Sequence, residues 1–156
     1  MLNDKYAQDK INVSLAEVDS SNWRDVMKIE LEPEQHEFVA EPGFYLNLSH
    51  YDGVWHPLAI LVNQQVVGML MWAKDPVDGS CWLGGVMIDR HNQGDGFGRG
   101  AMLVAIDKLS AERGFNKFAL SYARENQIAR DLYFSIGFRE TGEMEGEEIV
   151  ARLNLE

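Results

Sequence analysis

Apolar and polar positions along the chain switch repeatedly between a period of two and a period near 3.6. Residues 11–18, INVSLAEV, alternate and predict a first strand. Asp19 to Asn22 offer several helix N-caps, and Asn22 with Asp25 has the spacing of a capping box. Trp23, Val26, Met27, Ile29 and Leu31 then mark one side of a helix that Pro33 ends. EPEQHEFVAEPG follows as a polar, proline-bearing loop. FYLNLSHY (44–51) predicts a short helix closed by Gly53.

Two apolar runs, HPLAILVN (56–63) and QVVGMLMWAKD (65–75), meet around Asn63–Gln65 and predict a β-hairpin. After the turn signal DPVDG (75–79), SCWLGGVMID (80–89) reads as a third strand. Its paired Gly84–Gly85 predicts a bulge or a close backbone approach. Met102, Leu103, Ile106 and Leu109 recur at helical spacing, and the helix ends at Gly114–Phe115. KFALSYA (117–123) is a strand, NQIARDLYFSI (126–136) a helix stopped by Gly137, and FRETG with EEIVARLNL a closing pair of strands.

The predicted order is β-α-α-β-β-β-α-β-α-β-β, an α/β chain with a mixed, mostly antiparallel sheet flanked by helices. The strand–helix–strand unit in its middle is parallel, because a helix crosses between the two strands. No repeat or linker interrupts the pattern, which predicts a flexible tail at 1–10 and one domain at 11–156.

At 156 residues and 46% hydrophobic, the chain is long enough for a core. No apolar run reaches the ~18 residues of a membrane span. MLNDKYAQDK lacks the order of a signal peptide, and Cys81, the one cysteine, permits no internal disulfide. Both point to a reducing cytoplasm. The net charge of -11 argues against nucleic acid as a partner and suits cationic ones. Acidic residues cluster at Glu30, Glu32, Glu34, Glu37 and Glu41, and again at Glu140, Glu143, Glu145, Glu147 and Glu148. Between them basic residues gather, from Arg90 and Arg99 through Lys108, Arg113, Lys117, Arg124 and Arg130 to Arg139. One side for an anion and one for a cation is the expected result.

HNQGDGFGRG (91–100) places glycine at 94, 96, 98 and 100, directly before a helix. Backbone N–H groups at a helix start have no internal partner, and a loop without side chains lets an anion approach them. A phosphate-bearing ligand is the expected guest. No Lys-Ser/Thr pair follows, as a Walker loop requires. A dinucleotide fingerprint would need glycine at Arg99 or Ala101. His36, His50, His56 and His91 show no metal-ligand spacing, so no metal is expected.

The run Gln93-Gly94-Asp95-Gly96-Phe97-Gly98 fits Q/R-x-x-G-x-G/A. With the downstream block NQIARDLYFSIGF (126–138), it resembles the GNAT family of acetyl-CoA-dependent N-acetyltransferases, over about residues 11–155. The resemblance implies the GNAT fold and acetyl-CoA as co-substrate. It implies that the backbone of Gln93 through Arg99 holds the pyrophosphate, Asp95 turning its side chain away, with Arg99 free to neutralise phosphates. The edge of Val86, Met87 and Ile88 would pair with the pantetheine arm. Asn126 would bond the pantetheine, and Tyr133 would sit near the sulfur as proton donor, its phenol pKa of ~10 close to a thiol's. Asn126 also reads as an N-cap and Tyr133 as a core aromatic, but seven residues put both on one helical face.

No proton acceptor stands out. Some polyamine acetyltransferases carry a glutamate where this chain has Gly84. Asp89 lies toward the cofactor end, while His36, Glu37 and Glu148 are candidates acting through water. In this fold the two acidic clusters border the acceptor groove, which makes Glu34, Glu37 and Glu148 acceptor-binding candidates. NWRDVMKIELEPEQHEFVAEP also resembles a stretch of bacterial spermine/spermidine acetyltransferases. The expected acceptor is therefore a polyamine. An aminoglycoside, an amino acid, a protein N-terminus or a non-catalytic acyl-CoA sensor remain alternatives, and a homodimer is compatible with the pattern.

Overall fold

The computed structural model describes residues 13–156, so the tail expected at 1–10 and the strand start expected at residue 11 lie outside the described residues. A single seven-stranded sheet, ordered β1-β2-β3-β4-β5-β7-β6, organises the rest. β1 (Ser14–Glu17), β2 (His56–Val62), β3 (Gln65–Lys74) and β4 (Cys81–Ile88) form an antiparallel series. β5 (Lys117–Tyr122), β7 (Glu148–Asn154) and β6 (Arg139–Glu145) form a second. The two halves meet in a parallel pair, β4 with β5, as the crossover requires. The helices are α1 (Trp23–Met27), α2 (Pro42–Asp52), α3 (Phe97–Arg113) and α4 (Gln127–Ile136). The expected order is the observed one, with 3-10 turns added at Pro33–Glu37 and Arg90–Asn92.

Both faces of the sheet are covered, which is why β3 reads as a nearly continuous apolar run. On one face Leu58, Ile60, Leu70 and Leu83 pack with Leu103 and Ile106 of α3 and with Phe118 and Phe138. On the other, Met69, Met71 and Met87 pack with Val26, Ile29 and Leu31. The β2–β3 hairpin turns on Asn63 (φ 51°) and Gln64 (φ 66°), two left-handed residues that match the twist of the strands.

β4 carries the bulge that Gly84–Gly85 predicts. Met69 pairs with Met87 and Met71 with Gly84, so two steps on β3 face three on β4. Gly85 takes φ +57°, where a Cβ would also meet Met71 Cε at 3.0 Å. Such a bulge bends its strand. β4 and β5 are in register only at Cys81↔Phe118 and Trp82↔Ala119, and beyond that they part.

The front of the chain departs from expectation. The helix expected to run to Leu31 stops at Met27, and the chain then runs outside any helix to Pro33. Glu30 N–H donates to Asp89 Oδ1 at 2.8 Å, and Arg90 N–H donates to the Glu30 carbonyl at 2.8 Å. Ile29 and Leu31 are both buried, at strand spacing rather than helical spacing. The Asn22–Asp25 capping box is not made. Asn22 Oδ1 accepts from Asp19 N–H and its amide donates to the Glu17 carbonyl, each at 2.9 Å, so it ties the strand end instead. The expected polar loop holds the 3-10 turn at 33–37, where Gln35 Oε1 accepts from Glu32 N–H at 2.9 Å. No helix among the described residues is long and apolar enough to cross a membrane.

Gly68 sits in β3 beside the bulge. A Cβ there would lie 2.2 Å from the Met87 carbonyl oxygen, a backbone atom that cannot rotate aside. Gly68→Ala should therefore destabilise the protein by about 3 kcal/mol, the upper end for overpacking. Urea denaturation reads this directly, and an unchanged midpoint would refute the close approach.

Candidate active site

A cleft of about 1120 Å³ opens where β4 leaves β5. One side is the edge of β4, from Leu83 through Val86, Met87 and Ile88. The glycine loop closes one end, and α4 forms the facing wall with Ala129, Leu132 and Tyr133. Tyr45 and Trp55 line the cleft over Gly85 and Gly84, and Glu34 and Phe38 line it from the segment before α2.

The loop is built from its backbone. Asp89 Oδ2 accepts from His91 N–H at 3.1 Å and starts the short turn at 90–92. Asp89 is thereby committed to backbone partners at the loop end; burial works against its charge, but the bonds from Glu30 N–H first and His91 second hold its carboxyl below the usual range. Gly96 is the N-cap of α3 at φ +79°, a conformation unfavourable for a side chain. No side chain caps this helix, and a Cβ at Gly94 or Gly96 would meet nothing within 4 Å. The 17-residue α3 thus aims its dipole and first N–H groups at open space, an arrangement suited to phosphate.

The sequence-predicted residues fall into three sets. Gln93, Gly94, Gly96, Phe97, Gly98 and Arg99 line the cleft, as do Val86, Met87, Ile88, Asn126 and Tyr133. Asn126 does so while capping α4, its Oδ1 accepting from Ala129 N–H at 3.3 Å. The exposed Asp95 is not part of the lining. Arg99 is not free, contrary to expectation. Its Nε donates to Ser135 Oγ at 3.2 Å and its Nη2 to the Ser135 carbonyl at 3.4 Å, tying α3 to the last turn of α4.

The acidic clusters also need correction. Glu34, Glu145 and Glu148 line the cleft, whereas Glu37 does not. Glu140 accepts from the Tyr122 hydroxyl at 2.7 Å and from Arg130 at 3.0 Å. Glu143 is held by Arg152 at 2.7 Å, which with Thr141 brings its carboxyl down to about 2. Glu32 pairs with Arg90, and Glu41 with His36. Of the ten clustered glutamates, Glu32, Glu140 and Glu143 thus lie against arginines and Glu41 against an imidazole.

Tyr133 is 9% exposed and packs between Tyr122 and Phe138, with ring centroids 5.9 and 6.1 Å away. Burial first, and the charge of Glu148 second, push its phenol up to about 12, above the ordinary value assumed from sequence. Glu148 begins β7 and accepts from Ser121 Oγ–H at 2.8 Å. Cys81 is fully buried at the base of β4, and burial pushes its thiol up to about 12.

Sequence reasoning missed several lining groups. Trp55 stands over Gly84, where an added Cβ would touch the indole at 3.4 Å. Its segment, between α2 and β2, has no periodicity to read. Ser121 was visible only as a polar residue inside an apolar strand. Gln93 Nε2 donates to the Ile88 carbonyl at 2.8 Å and to Gln35 Oε1 at 3.0 Å, and Gln35 Nε2 returns a bond at 3.3 Å. This amide pair ties the turn at 33–37 to the glycine loop. Among the described residues no three His, Cys, Asp or Glu side chains converge as a metal site.

The model of the acetyltransferase (GNAT) family matches residues 17–138. The chain belongs to this family. It is similar to a probable spermine N(1)-acetyltransferase of Bacillus subtilis subsp. natto, 22% identical over 150 residues, covering 91% of this chain and 99% of the relative. Among solved structures, it resembles a ribosomal alpha-N-protein acetyltransferase in complex with coenzyme A, with TM-score 0.75, 14% identity and coverage of 93% and 95%. It also resembles spermidine N-acetyltransferase from Vibrio cholerae in complex with CoA and spermine, with TM-score 0.70, 20% identity and coverage of 91% and 94%. These likenesses support the fold of this acetyltransferase, with its mixed seven-stranded sheet.

Buried and shifted away from the thiolate, Cys81 is chemically quiet. Titration with an aromatic disulfide should find no reactive thiol in the native acetyltransferase and one after unfolding. Rapid labelling of the native protein would contradict this placement.

Proposed function

We propose that this acetyltransferase moves an acetyl group from acetyl-CoA to a primary amine of a polyamine such as spermidine or spermine, by direct attack in a ternary complex. The observation that carries the reading is the polarity of the cleft. A bare helix N-terminus suited to phosphate lies at the glycine loop, the Glu148 carboxylate acts on Tyr133 with Glu145 paired opposite it, and Glu34 adds a third carboxylate to the lining.

In this reading the backbone of residues 93–99 receives the pyrophosphate of CoA. The edge of Val86, Met87 and Ile88, which no strand among the described residues pairs and whose Ile88 carbonyl is bonded to Gln93, takes the pantetheine arm as a further strand. Asn126 retains its amide nitrogen for the same arm while its oxygen caps α4. A strand N–H at Val86 or Met87 donates to the thioester oxygen as it becomes negative. Tyr133 protonates the departing sulfur. A buried phenol pushed up to about 12 is fully protonated at neutral pH, which is the state the step needs. Apolar and aromatic lining from Phe38, Tyr45 and Trp55 suits the alkyl segments of a polyamine, while carboxylates suit its ammonium groups.

The likeness to an alpha-N-protein acetyltransferase supports a second reading, the terminal amine of a protein as acceptor. CoA release measured with spermidine, spermine, a simple diamine, lysine, an aminoglycoside and a short peptide separates the two. Selective turnover of spermidine or spermine is the expected result, and turnover of the peptide alone overturns the polyamine acceptor.

Tyr133→Phe should lower kcat by roughly 10²-fold, the usual scale for a lost general acid, with acetyl-CoA affinity nearly unchanged. Equal turnover by the variant removes Tyr133 as the acid. In the unsubstituted enzyme the raised phenol stays protonated as pH rises, so kcat should hold level up to about pH 10. A fall with an apparent pKa near ~10, the ordinary phenol value, would show that burial does not protect the proton.

A further inference from the structure

The proposed function gives the cleft an acid in Tyr133, while the sequence leaves its base open among His36, Glu37 and Glu148. Gly84 has no side chain, Asp89 is bonded to backbone at the loop end, and His36 and Glu37 lie outside the lining. Among the described residues no histidine lines the cleft. Glu34 belongs to the 3-10 turn that Gln35 ties to the glycine loop, and Glu145 stands exposed at the end of β6. Glu148 is placed differently. The β5–β7 ladder, with Tyr122 opposite Ile149 and Ser121 opposite Val150, brings the start of β7 beside the end of β5. Ser121 Oγ–H then holds Glu148 Oε1 at 2.8 Å, and the Glu148 charge acts on the Tyr133 hydroxyl.

We propose that Glu148 is the proton acceptor of the reaction, working through a water, and that Ser121 is its positioning residue. The inference rests on acetyl transfer to an amine. The acceptor enters as an ammonium ion. Its first proton passes through water to the Glu148 carboxylate and from there to solvent. The neutral nitrogen then forms a bond to the thioester carbon, and the carbonyl oxygen becomes negative. As the oxyanion collapses, the C–S bond breaks and the sulfur takes the Tyr133 proton. The second proton shed by the new amide nitrogen restores Tyr133. The products are the acetamide, free CoA thiol and one proton in solution.

The groups facing Glu148 can be named from each element around it. β5 supplies Ser121 and also Tyr122, whose hydroxyl is committed to Glu140. α4 supplies Tyr133, and β6 supplies Glu145. On β7 itself Arg152 is engaged by Glu143 and Asp78. No cation in this set is left to hold Glu148 permanently in an ion pair.

The test uses the full chain with acetyl-CoA and whichever amine of the panel turns over fastest. Glu148→Gln should lower kcat by roughly 10²-fold while acetyl-CoA affinity changes less than about two-fold. Its rate should climb with pH across the range where the unsubstituted enzyme has levelled, because only amine already neutral in solution then reacts. Glu148→Asp should restore part of the rate and the acidic limb, which guards against a folding defect in the amide variant. Ser121→Ala should lower kcat by roughly 10-fold or less and displace the acidic limb. An active enzyme whose Glu148→Gln variant keeps the original pH profile overturns the role of Glu148 alone. A loss confined to the KM of the amine does the same, leaving Glu148 as an ammonium contact. An unsubstituted enzyme that binds acetyl-CoA but acetylates no amine overturns the acetyl-transfer reading as well.

Discussion

Two register positions between β4 and β5 determine much of this molecule. Had the parallel pairing continued past Trp82, the sheet would close and no cleft would exist. The bulge at Gly84–Gly85 bends β4 away just there, while β5 remains fully paired to β7 on its other edge. Strand N–H and C=O groups left without a partner inside a fold are a standing demand for one. An extended ligand arm with its own amides meets that demand, as the pantetheine of CoA does in the proposed function. The parting also lets the cleft reach Tyr133 and Glu148, so in the proposed function the cofactor edge and the reacting groups arise from one backbone event.

The charge of -11 is a poor guide to the cleft until its local partners are counted. Glu140 and Glu143 are held by arginines, Glu32 lies against Arg90, and these largely exposed pairs contribute little to stability. What they do is tie up charge outside the cleft lining. The basic residues from Arg90 to Arg139 are likewise dispersed, and of that set only Arg99 lines the cleft. The anion end therefore depends on the backbone of α3 far more than on cationic side chains.

Legibility in the sequence follows how local each constraint is. The hairpin at Asn63–Gln64, the bulge at Gly84–Gly85 and the bare start of α3 are set by residues adjacent in the chain, and each could be read directly. The end of α1 could not. Ile29 and Leu31 suit either period, and a bond from Glu30 to Asp89, 59 residues away, decides for an extended path. The Gln35–Gln93 amide pair spans 58 residues and Ser121–Glu148 spans 27, and neither leaves a spacing to detect. The seven-residue spacing of Asn126 and Tyr133, both in the cleft lining, gave no view of the burial that raises the phenol.

That burial bears directly on how a site of this composition handles protons. A carboxylic acid and a phenol begin with reference values near ~4 and ~10, so at neutral pH one is a base and the other an acid without any tuning. Placing them in one cleft widens the difference, because a negative Glu148 disfavours ionisation of Tyr133, and the apolar packing of Tyr122 and Phe138 disfavours it further. Tyr133 keeps its proton because of what surrounds it, the apolar rings first and the neighbouring carboxylate second. Glu148 thus serves twice in the proposed mechanism: it takes the proton that makes the amine a nucleophile, and its charge keeps on Tyr133 the proton that the sulfur needs.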